Sequence, residues 1–417
     1  MTRLTLAAAL LAAPAFAQGP EGPNAIDIVR PDAPERAAFG EMPIGVRTMT
    51  FTDEGRIDVV AATEEGDLPR EDRQITAEIW YPAAEGTEAG GTYETVIRDG
   101  VTPTVLTGRA ARDAAPAGGT YPLVLVSHGY PGNRFLMSHL GENLASRGYV
   151  VASLDHPQST YDDQGPFPST LVNRPVDQAF AVEELTSMGG EIGALIDPEA
   201  VGVVGYSMGG YGALIFGGAG LSETALTRED PVFFTAPQNL LARHEPGSES
   251  LRELRDPRVR AVVAIGPWGR NTDFWDAGGL AGFEPPLMLV AGSVDTVSVY
   301  DAIRSIFEET TGTERLLLTF ENAGHNAGAP MPAPAEAWEP SPHIDFPPFE
   351  HYADAVWDNV RMNNVLAHFV SAFMDLHLKG DGSAAAFLEV PEEGETLAGF
   401  KDGFDAGLSL ERRAPGD

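Results

Sequence analysis

The chain has 417 residues, no cysteine, and 61 acidic against 27 basic residues, which gives a formal net charge of −34 at pH 7. The lack of cysteine excludes disulfides, thiolate metal sites and a cysteine nucleophile. The acidic balance disfavours nucleic acid and anionic lipid as partners, and a hydrophobic content of 43% indicates a globular protein.

The N-terminus has the pattern of an export signal. Arg3 supplies a positive start, residues 4–13 are apolar, and the Ala-Phe-Ala triplet at 15–17 fits the rule for signal-peptide cleavage before Gln18. No later stretch reaches the ~20 apolar residues that a membrane span needs, so no transmembrane segment is predicted. We therefore expect residues 1–17 to be a signal peptide and the protein to be exported, periplasmic or secreted, from a bacterium.

The first part of the mature chain predicts a leader and a sheet edge. Residues 18–44 are rich in Pro, Gly, Ala and acidic residues and are expected to be an extended leader without much core. One α/β domain is predicted over residues 45–380. It begins with an antiparallel pair of strands at 46–51 and 75–81, and the turn-rich residues 85–119 are expected to be a surface excursion.

From residue 121 onward, strands alternate with helices. The predicted strands are 121–127, 149–154, 201–204, 259–265, 287–291 and 316–320, and the predicted helices are 134–146 (with Asn133 as N-cap), 176–188, 208–215 and 351–378. Such alternation indicates βαβ units. The predicted fold class is therefore α/β, with a mostly parallel central sheet and helices on both faces.

Three segments interrupt this alternation, namely residues 158–174, 221–258 and 326–350. Because ligands of open α/β sheets bind outside the carboxyl ends of the strands, these insertions are expected to shape a pocket there; surface insertions without function are the alternative. Residues 381–417 are predicted to be an acidic C-terminal tail.

A Gly-x-Ser-x-Gly pattern runs from Gly205 to Gly209, between the strand at 201–204 and the following helix. This pattern is typical of a sharp strand-to-helix turn that strains its central serine and presents the hydroxyl above the sheet. The glycines avoid a collision where strand and helix pass closely. We predict that Ser207 is a nucleophile, the alternative being an ordinary serine in a glycine-rich turn.

A serine nucleophile needs a base, an acid that orients the base, and donors for the oxyanion. Asp295 and His325 each follow a predicted strand, which gives the chain order Ser207, Asp295, His325. The backbone N–H of Met208 and that of Tyr130, in the Ser-His-Gly-Tyr-Pro-Gly turn at 127–132, are the predicted oxyanion donors.

Other residues could take some of these roles. The alternatives are Asp273 and Asp276 for the acid, and His156, His343 and His351 for the base. His128 is interpreted as structural, helping to shape the turn that contains Tyr130. The carboxylate–histidine pairs lack the spacing of a metal site, so no metal is predicted.

These residues, in this order, resemble the α/β-hydrolase superfamily over roughly residues 45–380. The turn at 127–132 and the segment from Gly205 to Gly210 are similar to those of the branch with dienelactone hydrolase-like proteins and platelet-activating-factor acetylhydrolases. Dienelactone hydrolase itself uses cysteine where this chain has Ser207.

A second, partial likeness is to bacterial cutinases and polyester hydrolases. They pair an aromatic oxyanion residue with a Ser-Met-Gly-Gly turn, as Tyr130 and residues 207–210 do here. They also carry a Pro-Trp pair after the next strand, which corresponds to Pro267 and Trp268. The resemblance implies that Trp268 binds substrate; core packing is the alternative. The missing disulfide and the larger insertions are departures from that pattern.

The resemblance implies a serine hydrolase that cleaves carboxylic esters without a cofactor, and the N-terminal pattern predicts that it is exported. A small-molecule, lipid or polymeric ester is the expected substrate. A peptidase or amidase of the same fold, and a binding protein that has lost catalysis, are the alternative functions. No Gly-x-Gly-x-x-Gly or P-loop pattern is present, which disfavours a nucleotide-dependent enzyme.

Overall fold

Twelve strands and nine α-helices are present in residues 22–417, the part of the chain that a computed structural model describes. The strands are β1 (Ile44–Ile57), β2 (Arg70–Pro82), β3 (Gly91–Val96), β4 (Pro103–Gly108), β5 (Ala111–Arg112), β6 (Tyr121–Ser127), β7 (Val150–Asp155), β8 (Ile196–Tyr206), β9 (Val259–Ile265), β10 (Leu287–Gly292), β11 (Arg315–Phe320) and β12 (Leu408–Arg413). The helices are α1 (Ser138–Ser146), α2 (Phe167–Ser187), α3 (Gly190–Gly193), α4 (Met208–Phe216), α5 (Glu223–Thr227), α6 (Glu249–Leu254), α7 (Ala277–Leu280), α8 (Tyr300–Glu309) and α9 (Asn359–Leu378). The predicted signal peptide, residues 1–17, lies outside the described residues.

Ten strands form one sheet in the order β12-β11-β10-β9-β8-β6-β7-β2-β1-β5. The six strands from β7 to β11 in this order run parallel, whereas β2 is antiparallel to β7, and β1 to β2. The mostly parallel sheet confirms the predicted fold class. Strands β3 and β4 form a separate antiparallel hairpin.

Apolar side chains of the parallel strands point alternately to two cores, one on each face of the sheet. Leu123 and Leu125 belong to the core under α2, α4 and α8, whereas Val124 and Val126 belong to the core under α1 and α9. A strand that is covered on both faces reads as a continuous apolar run. This explains why these strands could be predicted from the sequence although apolar and polar residues do not alternate along them.

The boundaries of three helices differ from the prediction. Helix α2 begins nine residues before the predicted start at 176, so it includes much of the insertion predicted at 158–174. Helix α1 begins at Ser138, and the Asn133 side chain accepts from the N–H of Phe135 in the preceding turn rather than capping it. Helix α9 begins only at Asn359, where the Asp358 side chain caps it.

The segments outside the parallel strands are more ordered than the sequence suggested. In the leader, Ile26 and Ala37 are buried, and the excursion at 85–119 contains the hairpin of β3 and β4, with Tyr93 buried. The tail at 381–417 contains β12, which pairs antiparallel with β11 along its whole length. None of the helices in the described residues combines the length and the apolar character needed to cross a membrane.

Candidate active site

The Gly-x-Ser-x-Gly segment forms the sharp turn between β8 and α4. Ser207 has φ 53° and ψ −112°, a backbone conformation that non-glycine residues rarely adopt. A Cβ on Gly205 would lie 2.2 Å from the carbonyl oxygen of Gly209, and one on Gly209 would lie 2.0 Å from that of Ser127. Both glycines are therefore required by close approach, as the sequence predicted.

Ser207, His325 and Asp295 lie in one hydrogen-bonded row. Nε2 of His325 is 3.0 Å from Oγ of Ser207, and Nδ1 is 2.8 Å from Oδ2 of Asp295. An ionised carboxylate can only accept, so Nδ1 carries the proton and Nε2 is free to accept from the serine hydroxyl. Chemically, such a row can supply a nucleophile, a base and an acid that orients the base.

The carboxylate of Asp295 is buried and held on both oxygens. Its Oδ1 accepts from the backbone N–H groups of Val297 (2.7 Å) and Ser298 (3.0 Å), while Oδ2 faces His325. Burial opposes ionisation, but the hydrogen bond from His325 and those from the two backbone N–H groups outweigh it, and the pKa of Asp295 lies below its usual value. The carboxyl is therefore a charged acceptor at neutral pH.

The two predicted oxyanion donors belong to two segments that adjoin Ser207. Met208 is the first residue of α4, where backbone N–H groups have no partner within the helix. Tyr130 lies in the turn after β6, and the preceding Gly129 is so near that its Cβ would be 3.3 Å from Cβ of Ser207. Neither N–H donates to another group of the described chain.

An open cleft of about 650 Å³ leads to Ser207 and His325. The insertion at 326–350 lines it with Asn326, Phe346 and Glu350, whereas the other two insertions do not contribute to its lining. Four apolar side chains of the lining are well exposed, namely Val294, Val297, Phe346 and Val356. The mouth of the cleft is therefore suited to apolar parts of a ligand.

The backbone of Trp268 is close to that of Ser207, because the Trp268 N–H donates to the Ser207 carbonyl at 3.2 Å. Its side chain is not part of the cleft lining, as far as residues 22–417 define it. Instead it packs against the rings of Phe167 and Phe234, each with a centroid distance of 5.4 Å, and Phe274 at 5.1 Å. The structure thus places Trp268 in an aromatic cluster to which the first two insertions contribute.

The alternative acids lie away from the histidine. Asp273 is exposed, and Asp276 caps α7 by accepting from the N–H of Gly279 at 2.8 Å. Among the alternative bases, His343 is exposed and His156 is fully buried beneath the turn at 127–132. None of them is hydrogen-bonded to Ser207.

His351 is the one alternative base that also lines the cleft. Its Nε2 is 2.7 Å from the hydroxyl of Tyr161, and burial lowers its pKa to about 3. Residues 22–417 contain no group of three or more His, Cys, Asp or Glu side chains that could hold a metal ion.

Two supporting contacts were not predicted. The hydroxyl of Tyr206 donates to Oδ1 of Asn326 at 2.9 Å, which ties the serine turn to the residue after His325. Oδ2 of Asp354 accepts from the N–H of Gly324 at 2.7 Å, directly before the histidine. The positions next to Ser207 and His325 could have suggested the first contact, whereas nothing local in the sequence points to the second.

This architecture is the α/β-hydrolase fold. The structure of a ferulic acid esterase from Streptomyces cinnamoneus matches with a TM-score of 0.56 over 87% of this chain and 97% of that chain, at 21% sequence identity. In sequence, residues 87–228 match the PET hydrolase-like family. The predicted resemblance to the α/β-hydrolases, with its likeness to cutinases and polyester hydrolases, is confirmed.

Two cutinases are similar in sequence. Cutinase est1 of Thermobifida alba is 24% identical over 210 residues, which cover 50% of this chain and 54% of that enzyme. Cutinase 2 of Thermobifida cellulosilytica is 34% identical over 95 residues, which cover 23% of this chain and 34% of that enzyme. The chain spans about half the length, or less, of these relatives.

Proposed function

We propose that the protein is a serine hydrolase that cleaves carboxylic esters through an acyl-enzyme. The observation that carries the proposal is the hydrogen-bonded row of Ser207, His325 and Asp295 at the end of an open cleft. The similarity to cutinases and to the PET hydrolase-like family supports an ester as the substrate.

In the first half of the proposed reaction, Oγ of Ser207 forms a bond to the ester carbonyl carbon while its proton passes to Nε2 of His325. The carbonyl oxygen becomes an oxyanion that accepts from the N–H groups of Met208 and Tyr130. Asp295 fixes the tautomer of the imidazole and stabilises the imidazolium. The carbon–oxygen bond to the alcohol then breaks, and Nε2 returns the proton to the leaving alcohol.

In the second half, water attacks the acyl-enzyme. His325 takes a proton from the water and gives it to Oγ of Ser207 as the acyl–oxygen bond breaks, so that a carboxylic acid leaves and the enzyme is restored. No step needs a cofactor. The exposed valines and Phe346 at the mouth of the cleft favour esters with an apolar acyl or alcohol part.

The test is hydrolysis of p-nitrophenyl esters, from acetate to long acyl chains, by the wild type and Ser207→Ala. We expect activity in the wild type and its loss in the variant. Ser305→Ala is the matched control, because that hydroxyl bonds only to the carbonyl of Asp301 on α8. Retention of activity in Ser207→Ala would refute the proposal.

Amide analogues of the same acyl groups separate an esterase from a peptidase or amidase. A protein that hydrolyses neither series and is not labelled by a fluorophosphonate probe would be a binding protein on a hydrolase fold. Export is part of the proposal and rests on the pattern of residues 1–17. N-terminal sequencing of the protein recovered outside the cytoplasm tests export, and the first residue should be Gln18.

A further inference from the structure

One face of α2 lies beneath the turn that contains Tyr130 and carries Arg174, Asp177 and Gln178. All three side chains are buried. The proposed reaction gives them no role, because none of them lines the cleft. Their hydrogen bonds nevertheless reach both segments that supply the proposed oxyanion donors.

Arg174 donates to two successive carbonyls of the turn. Its Nη1 is 2.7 Å from the carbonyl oxygen of His128, and its Nη2 is 3.4 Å from that of Gly129 and also bonds to Oγ of Ser159. Burial lowers the pKa of Arg174 to about 9, so the guanidinium remains protonated at neutral pH. A charged donor therefore holds the carbonyl side of the turn.

His128 holds the same peptide group. Its Nδ1 is 2.6 Å from the carbonyl oxygen of Gly129, and its Nε2 accepts from the backbone N–H of His156 at 3.3 Å. Since Nε2 accepts, Nδ1 is the protonated nitrogen and donates to Gly129. The Gly129 carbonyl thus has two donors, one from His128 and one from Arg174.

The hydrogen bonds to the Gly129 carbonyl also fix the direction of the Tyr130 N–H, because the two groups share one peptide unit. The carbonyl of Gly129 and the N–H of Tyr130 belong to one planar peptide group and point to opposite sides of it when the bond is trans. Fixing the carbonyl toward α2 therefore aims the N–H away from α2. Gly129 lies against Ser207, because a Cβ on Gly129 would be 3.3 Å from Cβ of Ser207, so the peptide group that carries the Tyr130 N–H borders the serine.

The base of the turn is held by a second Ser-His-Asp row. Oγ of Ser127 is 2.8 Å from Nε2 of His156, whose Nδ1 is 3.1 Å from Oδ2 of Asp177. These residues are at most 1% exposed, so the row cannot meet a substrate. Asp177 also accepts from Nε of Arg73 at 2.9 Å, which anchors the row to β2.

The same face of α2 reaches the helix of the other donor. Nε2 of Gln178 donates to the carbonyl of Gly209 at 3.0 Å, one residue after Met208. We infer that α2 sets the placement of the two oxyanion donors relative to each other, and that Arg174 is a positioning residue that aims the Tyr130 N–H at the oxyanion. The inference rests on the proposed ester-hydrolase function.

The experiment compares Arg174→Gln with the wild type on p-nitrophenyl acetate and on an alkyl trifluoromethyl ketone, whose adduct with Ser207 carries an oxyanion. We expect kcat to fall about 10- to 100-fold with KM within about twofold, because a displaced donor acts mainly on the transition state. The inhibition constant of the ketone should rise by the same factor. Arg243→Gln, an exposed arginine, is the matched control and should match the wild type.

The inhibition constant separates positioning from a loss of folded protein. Fewer folded molecules would lower the apparent kcat without weakening the ketone, and that result would overturn the inference. Equal kcat in Arg174→Gln and the wild type would overturn it as well, while leaving the proposed function intact. If the wild type hydrolyses no ester, the proposed function fails, and the inference fails with it.

A second pair of variants covers the case in which Arg174→Gln does not fold. In His128→Asn the side-chain amide can take the place of Nδ1 and donate to Gly129, whereas in His128→Leu it cannot. Both variants lose the contact of Nε2 with the His156 N–H, so their difference reports the bond to Gly129 alone. We expect His128→Asn to retain at least tenfold more kcat than His128→Leu; equal values would overturn the inference.

Discussion

The carboxylate of Asp295 and the imidazole of His325 face each other at 2.8 Å, and this contact joins the loops that follow two neighbouring strands. Strands β10 and β11 pair in register from Leu287 with Arg315 to Gly292 with Phe320. The proposed acid and the proposed base thus follow one pair of adjacent strands, whose backbone hydrogen bonds, together with the loops, set their separation.

Replacing Asp295 with Asn should lower kcat by about 10⁴-fold, because an amide does not hold the imidazole in the tautomer that accepts from Ser207. The Asn oxygen can still accept from the N–H groups of Val297 and Ser298, so the melting temperature should change little. Asp276→Asn is the control, since asparagine also caps a helix well. Loss of activity in Asp276→Asn with retention in Asp295→Asn would assign the acid to Asp276.

Tyr206→Phe should lower the free energy of unfolding by about 1 kcal/mol and kcat severalfold. The hydroxyl that it removes donates to Asn326, next to His325. Tyr81→Phe removes a comparable hydroxyl of a buried side chain on β2, which donates to the carbonyl of Ala114 and does not line the cleft. This control variant should lower the free energy of unfolding by a similar amount and leave kcat unchanged. Denaturant titration and steady-state kinetics test the pair, and equal kcat values in both would contradict the role of Tyr206.

Val299→Gly should stabilise the protein by about 1 kcal/mol, because a β-branched residue at positive φ is strained. Val299 has φ 63° and ψ 113°, just before α8. The strain relieved at this position exceeds the entropic cost of introducing glycine, which is about 0.5–1 kcal/mol. Val297→Gly, at an exposed position of the same loop without positive φ, should give no gain. Thermal unfolding measures both, and a lower melting temperature for Val299→Gly would show that no strain is relieved.

His139→Met should make stability less sensitive to acid. His139 is buried, neither ring nitrogen has a hydrogen-bond partner among residues 22–417, and burial lowers its pKa from 6.5 to about 3. Between those values the unfolded chain binds a proton that the native protein does not, so the native state is destabilised as pH falls. The change is at most about 1.4 kcal/mol per pH unit for one group.

Denaturant titrations at pH 7 and pH 5 test this prediction. The difference in unfolding free energy between the two pH values should be about 2 kcal/mol smaller in His139→Met than in the wild type. Because the other buried histidines remain, some acid sensitivity should persist in the variant. The same pH dependence in both proteins would mean that His139 takes up its proton without cost.

The parts that could be predicted from the sequence are those fixed by local sterics. Gly205 and Gly209 are needed wherever a strand turns this sharply into a helix, and strands buried on both faces appear as short apolar runs. The parallel strands and the positions of Ser207, Asp295 and His325 follow from these two rules. The sequence could not decide which aspartate contacts His325, since Asp273 and Asp276 also follow a strand.

The start of α2 illustrates what local patterns cannot give. Pro175 lies inside this helix, and a proline normally indicates a helix end, so the prediction began after it. Burial of the preceding turns against the sheet and the turn at 127–132 outweighs the lost hydrogen bond. The hydrogen bonds from Arg174 to the carbonyls of His128 and Gly129 depend on that tertiary contact. The sequence also leaves open whether Trp268 binds substrate or packs in the core, because the aromatic residues around its side chain come from distant segments.

The antiparallel pairing of β12 with β11 has a consequence for the order of folding. Strand β11 ends five residues before His325, yet its outer edge is covered only by a strand some ninety positions further along the chain. Contacts of such long sequence separation form slowly. During refolding, tryptophan fluorescence should therefore recover before ester hydrolysis does. Until β12 docks, the uncovered edge, with Leu316, Leu317 and Leu318, is open to intermolecular strand pairing, so dilute refolding should give the higher yield.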